Sequence, residues 1–153
     1  MRMRVNSRIL LVEDDPTIVK TLTEFLKLEG FFVSNTAGQT DAIAFLEEHE
    51  RETALVLLDV SLAEGNGFSA CAEIKAKYDL PVIFLTASGD EYSVVTGLDL
   101  GADDYIGKPF RPRELVSRIR SVLRRCGKAH NIIELGDVTI DTAGGTVRKE
   151  GQE

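Results

Sequence analysis

The stretch Ala54-Leu-Val-Leu-Leu-Asp59 decides the fold of this chain. An uninterrupted apolar run of this length is typical of a parallel β-strand that helices cover on both faces. Similar runs lie at 8–12, 31–35, 81–85 and 103–106, and helical patterns alternate with them. This alternation predicts repeated βα units and a single parallel sheet.

Four of these runs share a further property, because each ends in polar side chains. The residues at the endings are Glu13 and Asp14, Asp59, Thr86, and Lys108. In an open parallel sheet the carboxyl ends of the strands lie along one edge, and ligands bind in the crevice at that edge. We therefore expect three carboxylates, a hydroxyl and an ammonium group to meet in one pocket.

Such a pocket favours a cation and phosphoryl chemistry. Three carboxylates within a few ångströms repel one another unless a cation lies among them, and hard oxygen ligands suit Mg²⁺. A free aspartate has a pKa of about 3.9, so an ionised Asp59 needs no general base to attack phosphorus. Lys108 and Thr86 could then stabilise the oxygens of the transferred group.

Composition limits what else the chain can be. With 153 residues it is long enough for one domain with a full core and little more. A net charge of −7 argues against nonspecific nucleic-acid binding by this chain, and no apolar stretch approaches a membrane span. For the latter reason we expect no membrane partner. The two cysteines lack metal-binding spacing, and a reducing cytoplasm is the location we expect.

The first predicted helix has clear boundary signals. Asp15 can cap its amino terminus, Pro16 suits its first position, and Gly30 can end it. The sequence therefore predicts a helix that begins directly after the Glu13-Asp14 pair.

The glycine pattern Gly65-x-Gly67-x-x-Ala70 is similar to a dinucleotide-binding fingerprint. That motif must follow the first strand directly, whereas these glycines come after Asp59. We interpret them as loop residues that lead into the third helix.

Four segments together resemble the receiver domain of two-component response regulators. They are ILLVEDD (9–15), VLLDVSL (56–62), FLTAS (84–88) and DDYIGKPF (103–110). The resemblance covers residues 8–125. It implies a flavodoxin-like, doubly wound α/β fold with five helices and a five-stranded parallel sheet in the order 2-1-3-4-5.

The resemblance also implies roles for individual residues. Asp59 would be the phosphoacceptor, supplied by a sensor histidine kinase, and Lys108 would bind the acyl phosphate. The Mg²⁺ ligands would be Glu13, Asp14, Asp59 and the backbone carbonyl of Ser61. Thr86 and Tyr105 would form a switch pair, and the Lys108-Pro109 bond would be cis.

The end of the chain differs from the rest. We interpret residues 126–131 as a linker and 132–153 as a short β-rich tail. This tail resembles the first β-sheet of the winged-helix domain in OmpR/PhoB-type transcriptional regulators. Because the helices that enter the major groove are absent, we expect promoter DNA to bind only the full-length protein.

Members of that subfamily form homodimers on activation, through the last strand and the helices on either side of it. Asp104 with Arg118 and Asp99 with Arg120 match two of the ion pairs between subunits. For the third pair Glu114 is present, but Val94 replaces the basic partner. One ion pair is therefore lost, and the face becomes more apolar.

Two other functions are possible from the sequence. A phosphatase of the haloacid-dehalogenase type would also form an aspartyl phosphate, but it needs a second aspartate where Ser61 stands. A receiver-like interaction module that is never phosphorylated would not need the complete set of polar strand endings.

Overall fold

Five parallel strands form one sheet in the computed structural model, which describes residues 8–62, 64–87, 95 and 99–127. The strands are β1 (Arg8–Val12), β2 (Phe32–Thr36), β3 (Thr53–Asp59), β4 (Val82–Ala87) and β5 (Asp104–Lys108). Their order is β2-β1-β3-β4-β5. The predicted doubly wound sheet and its strand order are therefore confirmed.

Four α-helices lie in the described part of the chain. They are α1 (Pro16–Leu28), α2 (Gln39–His49), α3 (Gly67–Lys77) and α4 (Pro112–Gly127), and a 3-10 helix covers Glu50–Glu52. Of the five predicted helices, the one between β4 and β5 falls mostly outside the described residues, although Val95 and Asp99 are helical. No helix among the described residues is long and apolar enough to cross a membrane.

The carboxyl end of α4 lies beyond the predicted start of the linker, since Cys126 and Gly127 are still helical. A difference of two residues is common at helix ends. Residues 128–153, which include the predicted β-rich tail, lie outside the described residues.

The chain divides into two compact units, Ser7–Ile119 and a second made of Met1–Asn6 with Arg120–Glu153. The first unit contains the whole sheet, the first three helices and α4 up to Ile119. Of the second unit the structure describes 120–127, the end of α4. The site described below lies entirely in the first unit.

The core explains why the central strands are continuously apolar. In β1 and β3 the residues Ile9–Val12 and Leu55–Leu58 are fully buried, as a strand with helices on both faces must be. On one face, Leu10 and Val12 belong to the same buried cluster as Leu46 of α2. The polar strand endings thus follow these buried runs directly, at the carboxyl edge of the sheet.

Helix α1 begins and ends as the sequence predicts. The Asp15 carboxylate accepts hydrogen bonds from the backbone N–H of Thr17, at 2.9 Å, and of Ile18, at 3.4 Å. Gly30 has a φ of 97°, in the left-handed region that glycine adopts most easily. The helix therefore starts immediately beside the acidic pair.

Gly67 allows α3 to start against the backbone at the end of β3. Its N–H donates to the carbonyl of Val60 at 3.1 Å. A Cβ atom at this position would press on the Asp59 carbonyl oxygen and lie 2.6 Å from Val60 Cα. The loop glycine is thus required by close approach of two backbone segments, one of which carries Asp59.

Gly67→Ala should therefore destabilise the protein by about 2 kcal/mol or more, because the added methyl group must displace backbone. Urea denaturation measures this loss. The amide NMR signals of Asp59 to Ser61 should shift as well.

Gly30→Ala is the matched control. Nothing lies within 4 Å of a Cβ there, so only the left-handed backbone costs free energy, about 1 kcal/mol. Equal destabilisation by the two variants, with unchanged Asp59 to Ser61 signals, would contradict the close approach at Gly67.

Candidate functional site

The carboxyl edge of the sheet brings the predicted polar strand endings together. Asp59 is the last residue of β3 and Lys108 the last of β5, while Glu13 and Asp14 directly follow β1. Thr86 comes one position after Leu85, the register partner of Asp59 on β4. The expectation that these side chains share one edge is met by the strand register.

Three carboxylates form the centre of the site. Glu13, Asp14 and Asp59 each place one oxygen within 4.8 Å of the other two. Glu13 and Asp59 are buried, with 1% and 4% of their surface exposed, whereas Asp14 is exposed. The cluster is therefore open to solvent mainly on the Asp14 side.

Backbone groups orient the two buried carboxylates. One Glu13 oxygen, Oε2, accepts a hydrogen bond from the N–H of Asp15 at 3.1 Å. One Asp59 oxygen, Oδ1, accepts from the N–H of Ser61 at 3.0 Å. These bonds leave the second oxygen of each carboxylate available to the interior of the site.

Lys108 lies between those second oxygens. Its Nζ atom is 3.2 Å from Asp59 Oδ2 and 3.6 Å from Glu13 Oε1. The Lys108-Pro109 peptide bond is cis, as the sequence resemblance implies. The ammonium group thus neutralises part of the charge of the cluster, directly beside Asp59.

Burial has a marked effect on Glu13. Its pKa is raised from 4.5 to about 7, mainly by desolvation and also by a hydrogen bond with the Asp59 carboxyl. The Asp15 N–H and the charge of Lys108 act in the opposite direction. Without a further cation, a proton on Glu13 relieves the repulsion among the carboxylates.

The donor set fits a hard divalent cation. Glu13 Oε1 is a buried oxygen without a hydrogen-bond partner in the described structure, and two more carboxylate oxygens lie nearby. Clustered carboxylates with one solvent-exposed side are the arrangement in which Mg²⁺ keeps several of its waters.

Thr86 and Tyr105 differ in their exposure. Thr86 is buried, with 4% of its surface exposed, while Tyr105 on the neighbouring strand is 38% exposed. Tyr105 is the register partner of Phe84, two positions before Thr86 on β4. In this structure the tyrosine therefore faces solvent at least in part.

Three of the charged residues predicted to pair between subunits, Asp104, Glu114 and Arg118, form ion pairs within one chain. Arg118 Nη1 lies 3.0 Å from Asp104 Oδ1, and Arg118 Nη2 lies 3.0 Å from Glu114 Oε2. Asp99 is exposed, and Val94 lies outside the described residues. No sequence pattern indicates that Asp104 and Arg118 meet in the monomer, because the two residues come from different elements.

Asn35 is a site neighbour that the sequence analysis missed. Its side-chain amide, on β2, donates to the backbone carbonyl oxygens of Leu11 and Glu13. Asn35 is exposed, as polar residues on edge strands usually are, so only the register between β1 and β2 could have revealed this contact.

Comparison with known proteins gives a consistent result. The family model described as the response regulator receiver domain matches residues 9–120. Among curated relatives, the DNA-binding response regulator MtrA of Mycolicibacterium smegmatis is 39% identical over 150 residues. MtrA of Mycobacterium leprae is 39% identical over 149 residues. Each alignment covers 97% of this chain but 65% of the relative, so the chain spans just under two thirds of their length.

A solved structure is also similar. The response regulator receiver domain protein (CheY-like) from Methanospirillum hungatei superposes with a TM-score of 0.72 at 30% sequence identity. The superposition covers 81% of this chain and 98% of that one.

The raised pKa of Glu13 predicts how stability depends on pH in metal-free protein. Between about pH 4.5 and pH 7 the folded state holds a proton on Glu13 that the unfolded state has released. The free energy of unfolding should therefore fall as the pH rises through this window, by at most about 3 kcal/mol from this group. Urea denaturation in EDTA at pH 5, 6, 7 and 8 measures it.

Glu13→Gln is the control, since its amide does not titrate. The stability difference between wild type and variant should shrink or reverse as the pH rises. Parallel profiles for the two proteins would show that Glu13 titrates normally in the fold.

Proposed function

This chain belongs to the response regulator receiver family of two-component systems, and we propose that Asp59 is the residue that accepts its phosphoryl group. The observation that carries the proposal is the contact between a buried carboxylate and an ammonium group, Asp59 Oδ2 to Lys108 Nζ at 3.2 Å, beside two further carboxylates. The relatives are DNA-binding response regulators, which favours a signalling role over a haloacid-dehalogenase-like phosphatase.

The proposed reaction is an in-line displacement at phosphorus. An oxygen of ionised Asp59 attacks the phosphoryl group of a phosphohistidine on a sensor kinase, and the bond from phosphorus to the imidazole nitrogen breaks. The Ser61 N–H holds the carboxylate in one orientation. Lys108, already beside the nucleophile, then donates to a phosphoryl oxygen, and Thr86 supplies a hydroxyl at the same sheet edge.

We further propose that Glu13, Asp14, Asp59 and the backbone carbonyl of Ser61 hold Mg²⁺. When bound, the ion offsets negative charge on the phosphoryl oxygens. Two observations support this assignment: three carboxylate oxygens converge, and the buried Glu13 Oε1 has no hydrogen-bond partner in the described structure.

Thr86 and Tyr105 are proposed as the switch pair. After phosphorylation Thr86 moves toward the phosphoryl group, and Tyr105 turns inward to fill the space it leaves. Tyr105, 38% exposed on β5, and the buried Thr86 on the neighbouring strand β4 form a starting arrangement that permits this change. The switch is thus a shift between two packings of one strand pair.

The proposed partners follow from the same family. A sensor histidine kinase in the cytoplasm supplies the phosphoryl group, and the activated receiver forms a homodimer. The dimer surface includes Asp99, Asp104, Glu114, Arg118, Arg120 and Val94. Promoter DNA is a proposed partner of the full-length protein only, because the MtrA relatives, of which this chain covers 65%, are DNA-binding response regulators.

Asp59→Asn should abolish phosphorylation. With acetyl phosphate and Mg²⁺, intact-protein mass spectrometry should show one acid-labile phosphoryl group on wild type and none on the variant. Asp41→Asn changes an exposed aspartate on α2 in the same way and should be labelled like wild type. A phosphoryl group on Asp59→Asn would disprove the assignment.

Lys108→Ala should slow phosphorylation by about 100-fold or more, because a preorganised cation at the transferred group is lost. Timed aliquots analysed by mass spectrometry give the rate. Lys77→Ala removes a surface lysine that pairs with Glu73 and should leave the rate unchanged. Equal rates for both lysine variants would remove Lys108 from the reaction.

A further inference from the structure

Asn35 makes an unusual set of hydrogen bonds for a side chain on an edge strand. Its Nδ2 atom lies 2.8 Å from the carbonyl oxygen of Leu11 and 3.1 Å from that of Glu13. It is also 3.1 Å from the carbonyl oxygen of Thr36. One amide group thus bridges the carboxyl ends of β1 and β2.

This bridge continues the ladder between the two strands beyond their last residues. The N–H of Glu13 donates to the Thr36 carbonyl at 3.0 Å, and β2 ends at Thr36. A further β2 residue would donate to the Glu13 carbonyl, but the Asn35 side chain does so instead. Both backbone polar groups of Glu13 are therefore tied to β2.

The Glu13 carbonyl belongs to the same planar peptide group as the N–H of Asp14. A bond to this carbonyl therefore limits rotation of the peptide from which the Asp14 side chain extends. Asp14 is exposed, so packing does little to orient it, yet its carboxylate converges with those of Glu13 and Asp59. The backbone at the end of β1 must supply that orientation.

We propose that Asn35 is a positioning residue for the acidic cluster, and that its amide holds the Glu13-Asp14 peptide so that the carboxylates converge on one cation. The inference rests on the proposed Mg²⁺ site at Glu13, Asp14 and Asp59. Asn35 touches neither the cation nor the transferred group. It acts through the backbone of its neighbours.

The test compares Mg²⁺ binding by wild type and Asn35→Leu, which has a similar size but no N–H donor. Isothermal titration of the full 153-residue chain with MgCl₂ measures the dissociation constant. It should rise about tenfold in Asn35→Leu, the usual effect of losing a group that orients metal ligands. Asn35→Ala should give the same rise if the leucine variant folds poorly.

Ser34→Ala is the matched control on the same strand. It removes the hydrogen bond from Arg8 Nη1 to Ser34 Oγ, 2.8 Å long, at the other end of the β1–β2 pair. It should weaken Mg²⁺ binding by less than about twofold, because it leaves the ligands in place. Urea denaturation of both variants separates loss of stability from loss of affinity.

The outcomes distinguish the two proposals. If wild type binds no Mg²⁺, the proposed metal site is wrong. If wild type binds and both Asn35 variants bind equally well, the role of Asn35 is overturned and the metal site stands. If Ser34→Ala weakens Mg²⁺ binding as much as the Asn35 variants do, Asn35 only stabilises the edge strand and does not position the metal ligands.

Discussion

Electrostatic repulsion among carboxylates is the constraint on which the rest of this site depends. The parallel sheet confines Glu13, Asp14 and Asp59 to one edge, and two of them are buried there. Lys108 neutralises one charge at most, so an ionised cluster keeps two. A proton on Glu13, whose pKa rises to about 7, relieves the repulsion in one way, and a divalent cation relieves it in another. The two compete for the same carboxylates, which links proton release to ion binding.

Most of the fold and the centre of the site could be predicted from sequence, because both are encoded by where apolar runs stop. The predicted strands lie within a residue or two of those observed, and their polar endings meet along one edge. The limits of α1 follow from Asp15, Pro16 and Gly30, whose backbone preferences are local. Such signals lie within a few residues of the helix ends, so they can be recognised without knowing which distant residues are in contact.

The features that sequence could not predict all depend on register or on distance between elements. Asn35 contacts the β1 end only because Leu11 is its partner across two parallel strands. Gly67 is required because a Cβ would meet the backbone of Asp59 and Val60, a contact invisible in the glycine pattern. The charge pattern of Asp104 and Arg118 fits an ion pair within one chain as well as between two, and the structure has the former.

That intrachain ion pair affects what association could gain. In the monomer the guanidinium of Arg118 already contacts two acidic side chains, one on β5 and one a turn before it on α4. If a second subunit offered Arg118 a carboxylate, that carboxylate would replace one of the two it already contacts, and the number of ion pairs would not increase. Such an exchange is nearly neutral in free energy, so it would select the orientation of two copies more than the tightness of their complex. Any driving force for pairing would then have to come from contacts other than this ion pair.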